Sequence, residues 1–130
     1  MDKMKDVALL VGRVLLALMF VMAGWSKIGG YAGTQGYMEA MGVPGFMLPL
    51  VILLELGGGL AVVLGLFTRS LSVLLAGFTL MAAFIFHYQP AEQMQMLMFM
   101  KNVSVAGGFL ALAAAGAGAF SLDARLGKNW

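Results

Sequence analysis

Apolar residues fill four stretches of this chain, and polar residues gather at their ends. The stretches run from about Val7 to Ile28, Phe46 to Phe67, Ser70 to Tyr88 and Leu97 to Ala119. Each suffices to cross a bilayer's hydrocarbon of roughly 30 Å as an α-helix, which takes about 20 residues. A helix also satisfies its own backbone polar groups, which lipid cannot do. The pattern predicts an all-α membrane protein, with residues 1–130 forming a single integral-membrane domain. Short connectors predict antiparallel neighbours in a four-transmembrane-helix bundle. Thr68-Arg69-Ser70 reads as the turn between the second and third spans. Pro90 closes the third, because proline cannot continue helical bonding.

The segment from Gly29 to Gly45 breaks this pattern. Tyr31 to Thr34 reads as a loop, and Gln35 to Met41 as a short interfacial helix between the first and second spans, with Tyr37, Met38 and Met41 on one face. Too short to span, it is expected at the interface or folded over the bundle. Val43-Pro44-Gly45 then interrupts it.

Composition agrees with a membrane location. The chain has 62% hydrophobic and 11% charged residues, against about 25% charged in a soluble domain. The N-terminus is expected to remain as the first span. Its leading residues are mixed in charge, Arg13 interrupts the apolar run, and Gly24-Trp25-Ser26-Lys27 is a poor cleavage site. Dispersed basic residues and a net charge of +2 give no footprint for nucleic acid. Lys3, Lys5, Arg69, Arg125 and Lys128 fall on one side of the bundle, so the positive-inside rule places both termini in the cytoplasm.

The absence of cysteine excludes thiol redox chemistry, disulfides and thiolate metal sites. His87 has no second histidine or suitably spaced carboxylate beside it, so no metal site is expected. Met94, Met96, Met98 and Met100 read as flexible apolar packing rather than Cu(I) ligands. Gly57-Gly58-Gly59 lies inside an apolar helix and is no phosphate loop.

Polar residues inside the spans carry the functional question. Glu55 stands in an otherwise uncharged apolar run, where a carboxylate costs at least a few kcal/mol unless paired, protonated or hydrated. Its expected partners are Arg13 from one half of the bundle, Lys101 from the other, or both. Arg13 shares a face with Ala17, Phe20, Gly24 and Lys27, so that face should point inward. Two readings stand. In the structural one, Arg13 and Glu55 fix helix register while Lys27 and Lys101 snorkel to the interface. In the functional one, Arg13, Lys27, Glu55, His87, Lys101 and Asn102 form a polar pocket that binds a small ligand or relays protons. Trp25, Tyr31, Tyr37 and Tyr88 read as an aromatic belt, or as the mouth of a pocket for a flat ring such as a quinone. Gly107, Ala111, Ala115 and Ala119, and likewise Gly57, Ala61 and Gly65, form small-residue stripes for close helix approach.

Five segments together resemble the DoxX family of small four-span bacterial inner-membrane proteins. They are Arg13 to Phe20, Gly24 to Ile28, Glu55 to Arg69, Lys101 to Phe109 and Ser121 to Asp123. Arg13, Lys27, Glu55, Arg69, Lys101, Asn102 and Asp123 match the family's polar positions. The resemblance implies the four-helix membrane fold and an inner-membrane location. It also implies a role in redox or respiratory metabolism, since the family takes its name from a membrane subunit of a thiosulfate:quinone oxidoreductase. The chain is then expected to be a quinone- or small-ligand-binding subunit of an oxidoreductase complex rather than an enzyme on its own. No cofactor is intrinsic to it, and a quinone is the candidate guest. The alternatives are a non-catalytic adaptor that docks a partner enzyme and, as a homo-oligomer, a small-molecule permease.

Overall fold

The computed structural model describes residues 2–128 and 130. It contains helices α1 (Asp2–Gly29), α2 (Tyr31–Ala40), α3 (Gly45–Leu64), α4 (Thr68–His87), α5 (Gln93–Ala115) and α6 (Leu122–Arg125). No strand occurs among the described residues. α1, α3, α4 and α5 are the four apolar helices long enough to cross a membrane. Only 22–28% of the apolar window in each is buried inside the protein. The outward apolar surface, including Leu15, Met22, Leu53 and Phe84, is therefore left for lipid.

Several boundaries differ from the sequence expectation. α3 stops at Leu64 because Gly65 adopts a left-handed conformation, with φ 78°. The turn is thus Gly65 to Phe67, and Thr68-Arg69-Ser70 opens α4 instead of forming the turn. α5 starts at Gln93 and ends at Ala115, where Gly116 turns away with φ 83°. α2 starts at Tyr31, so Tyr31 to Thr34 is helical rather than a loop. Hydropathy marks where lipid begins, whereas helices end where a backbone conformation stops them.

α1 packs chiefly against α3, and α4 against α5. The pairs meet in a core of Ala17, Phe20, Val62, Leu75, Ala76, Ala106, Phe109 and Leu112. Phe20 and Phe109 touch edge to face, with ring centroids 5.5 Å apart. The inward face of α1 is the expected one, with Arg13, Ala17, Phe20 and Gly24 buried and Lys27 half-buried. Of the expected stripes only Gly65 is a close contact, buried beside Arg13. Gly107, Ala111, Ala115 and Ala119 are exposed, while Asn102, Ala106, Phe109 and Leu112 face inward. On α3 the inward glycines are Gly58 and Gly59, and Gly57 is exposed. A π-type turn over Leu53–Gly58 adds a residue to the helical turn and lets both adjacent glycines face the interior.

The α1–α3 register is set by two close approaches. A Cβ on Gly24 would lie 2.8 Å from the backbone nitrogen of Leu56, and one on Gly59 would lie 3.1 Å from that of Val21. Backbone cannot yield as a flexible side chain can. Gly24→Ala should therefore destabilise the detergent-solubilised protein by about 1–3 kcal/mol, the usual range for overpacking. Gly33→Ala, where nothing lies near the added carbon, serves as the control in the same thermal-unfolding assay.

The end carrying both termini is closed by a polar clasp. Arg13 is 2% exposed and donates to the carbonyls of Ala117 at 2.7 Å, Phe120 at 3.0 Å and Val63 at 3.3 Å. Asp123 accepts from the Phe67 amide at 2.8 Å, the Thr68 amide at 2.9 Å and the Trp130 indole Nε1 at 2.8 Å. It thereby caps α4 from 55 residues away in sequence. Phe67, left-handed at φ 54°, is held by that bond and by stacking on Trp130 at 4.4 Å.

Candidate functional site

The opposite half of the bundle holds a cavity of about 450 Å³, within the range of small-molecule sites. All four spans and α2 contribute to its wall. α1 supplies Met19, Phe20, Ala23 and Lys27, and α3 supplies Met47, Leu50, Val51, Leu54 and Glu55. α4 supplies Phe78, Thr79, Ala82, Ile85, Phe86 and His87, and α5 supplies Lys101 and Asn102. α2 lies over this end through Thr34, Tyr37 and Met38. Met38 is buried, and Tyr37 stacks on Phe86 with ring centroids 5.5 Å apart. The short helix thus folds over the bundle, and its amphipathic face covers the cavity.

Glu55 pairs with Lys27. The ammonium Nζ lies 2.9 Å from Oε1, an ion-pair contact that leaves Oε1 without an aligned hydrogen bond. Lys27 is therefore drawn inward instead of snorkelling. The expected Arg13–Glu55 pair does not form, and helix register gives the reason. Gly24 of α1 faces Leu56, whereas Arg13 lies beside Gly65. Gly65 is ten residues beyond Glu55, about 15 Å along a helix at 1.5 Å per residue. Arg13 accordingly belongs to the clasp and does not reach the cavity.

The remaining groups sit around that pair. His87 Nδ1 lies 2.8 Å from Gln95 Oε1. An amide oxygen only accepts, so Nδ1 donates and a neutral His87 keeps Nε2 as an acceptor. Asn102 is buried, and its Nδ2 makes only a long contact of 3.5 Å to the Thr79 carbonyl. Lys101 is exposed and has no carboxylate within ion-pair distance among the described residues. Two ammonium groups and one carboxylate, with His87 and Asn102, therefore border a largely apolar chamber. It can offer donors to a carbonyl oxygen and acceptors to a hydroxyl.

Of the sequence-expected residues, Lys27, Glu55, His87, Lys101 and Asn102 converge on the cavity, and Arg13 does not. Thr34 and Thr79 also line it, though neither stands out in the sequence. Thr79 Oγ1 donates back to the Leu75 carbonyl at 2.6 Å, a local bond that hides a hydroxyl within an apolar run. Two π-type turns, Leu53–Gly58 and Ala83–His87, carry Glu55 and His87. Such turns concentrate at functional sites, and the hydropathy pattern gives no sign of them.

The DoxX family profile matches residues 8–88. The chain is 60% identical over 130 residues to "Inner membrane protein YqjF" of Escherichia coli K12, covering 100% of each. It is 41% identical over 128 residues to "Inner membrane protein YphA" of the same organism, covering 93% of this chain and 91% of that one. A Bacillus subtilis protein named "Putative oxidoreductase CatD" is 38% identical over 85 residues, covering 65% of this chain and 63% of that one. No solved structure matches the chain.

Proposed function

We propose a ligand-binding role for this chain, which belongs to the DoxX family of inner-membrane proteins: the cavity under α2 takes a quinone or similar flat molecule in support of redox metabolism. One observation carries the reading. Five polar side chains from four different spans converge on one apolar chamber that a short helix covers. A quinone carbonyl would accept from Lys27 or Lys101, and a quinol hydroxyl would donate to Glu55 or to Nε2 of His87. The oxidoreductase name of the Bacillus relative supports the redox part of this proposal. With no cysteine in the chain, its part is to hold and orient the quinone beside a partner enzyme that supplies electrons. Lys3, Lys5, Arg69, Arg125 and Lys128 belong to the end with the termini, so that end faces the cytoplasm and the cavity lies toward the outer side.

The test is direct titration of the purified protein with a short-chain naphthoquinone, read by equilibrium dialysis. Saturable binding is expected. Ala82→Phe, which fills the chamber from its wall, should weaken it by roughly tenfold or more, as loss of a shaped apolar contact does. Non-saturating uptake, or equal affinity in the filled variant, would sink the proposal.

A further inference from the structure

We infer that the end carrying the termini holds a second site, a phosphate-binding cleft built on Arg69. It has a volume of about 270 Å³ and lies among the start of α4, the Gly116–Ala119 segment and the C-terminal residues. The residues that matter in its wall are Arg69, Lys128, Gly116, Ala117, Gly118 and Asp123.

Arg69 is half-buried, and its Nε is buried with no partner. Among the described residues no carboxylate lies within ion-pair distance of its guanidinium. Arg13 also leaves its Nε without a partner, but its terminal nitrogens reach three carbonyls. The guanidinium rests on Gly116. A Cβ there would meet Nε and Nη2 at 3.1 Å, and φ of 83° disfavours any side chain. A planar donor fork held against backbone suits bidentate contact with phosphate oxygens.

The rest of the wall agrees. Lys128 adds a second, exposed positive charge. The amides of Ala117 and Gly118 donate to no backbone carbonyl among the described residues. Gly116 and Gly118 there have φ of 83° and 85°, so this stretch of backbone carries no bulky side chain to screen its amides. Asp123 is the carboxylate in the wall. Its oxygens already accept from the Phe67 and Thr68 amides and the Trp130 indole, so its charge is engaged away from Arg69. Asp6 stands at the rim, its Oδ1 accepting from the Ala119 amide at 3.4 Å, so the cleft's hold on an anion comes from the unpartnered donors of Arg69 and from Lys128. The ligand chemistry is a phosphate group, from an anionic lipid headgroup or from free phosphate.

The experiment measures thermal unfolding of the full chain in neutral detergent. One arm adds phosphatidylglycerol against phosphatidylcholine. The other adds inorganic phosphate against chloride at matched ionic strength. A rise in melting temperature of several degrees is expected in at least one arm. A rise with phosphatidylglycerol alone identifies the lipid headgroup, and a rise with phosphate identifies the free anion. Arg69→Gln should weaken the response by roughly tenfold in ligand concentration, the loss of a bidentate charge-assisted contact. Arg125→Gln, at the same end but outside the cleft, should respond like the parent protein. No rise in either arm, or an equal rise with Arg69→Gln, overturns the inference. Should Arg69→Gln fail to fold, Lys128→Gln decides: unchanged affinity in that variant overturns it as well.

Discussion

Arg13→Met should lower the unfolding free energy by about 3 kcal/mol or more, because three carbonyls lose their donor at once. The methionine fills much of the space but leaves the carbonyls of Ala117, Phe120 and Val63 without their donor. Each unmatched buried acceptor costs about 1–3 kcal/mol. Arg13→Lys should recover little, because one ammonium cannot reproduce a planar fork that reaches several acceptors. Thermal unfolding in detergent gives the magnitude. Limited proteolysis gives the place, with new cleavage expected between residues 116 and 128. Quinone affinity below the melting point should be unchanged, since Arg13 is not in the cavity wall. A large loss of affinity in a still-folded Arg13→Met protein would contradict the separation of clasp from cavity.

Glu55→Leu alone should destabilise the bundle by about 1–3 kcal/mol, below the loss expected of a fully buried pair, because Lys27 keeps 28% exposure and can rehydrate. Lys27→Met alone should cost at least as much, leaving the carboxylate unpaired at 7% exposure. The double variant Lys27→Met/Glu55→Leu should regain most of the lost stability, since well-packed apolar residues often replace a buried ion pair without penalty. Quinone binding should behave differently. It should fall by at least roughly tenfold in each single variant and stay low in the double, because the head group has lost its hydrogen-bonding partners. A double variant that recovers both stability and binding would make the ion pair a structural crosslink between α1 and α3, as the adaptor reading requires.

Much of this arrangement is legible in the chain. The four spans follow from length and hydropathy, and the inward face of α1 follows from the spacing of Arg13, Ala17, Phe20, Gly24 and Lys27. Five of the six polar candidates meet at the cavity because charged groups in an apolar helix have few places to go. The partner of Glu55 was not legible. Its nearest ammonium depends on how far α1 slides along α3, and that is set by Gly24 against Leu56 and Gly59 against Val21. Glycine packing of this kind looks the same in sequence as the exposed glycine at position 57. The clasp was equally hidden, since Asp123 and the backbone it caps lie 55 residues apart.

The sequence by itself determined that this is a four-span membrane protein with a few expensive polar groups in its interior. It could do so because hydrophobic transfer and backbone satisfaction act locally, residue by residue along each helix. Only the tertiary structure decided that Glu55 belongs with Lys27 and Arg13 with carbonyls at the other end. Those pairings depend on register between helices, and register is fixed by backbone contacts that no single helix contains.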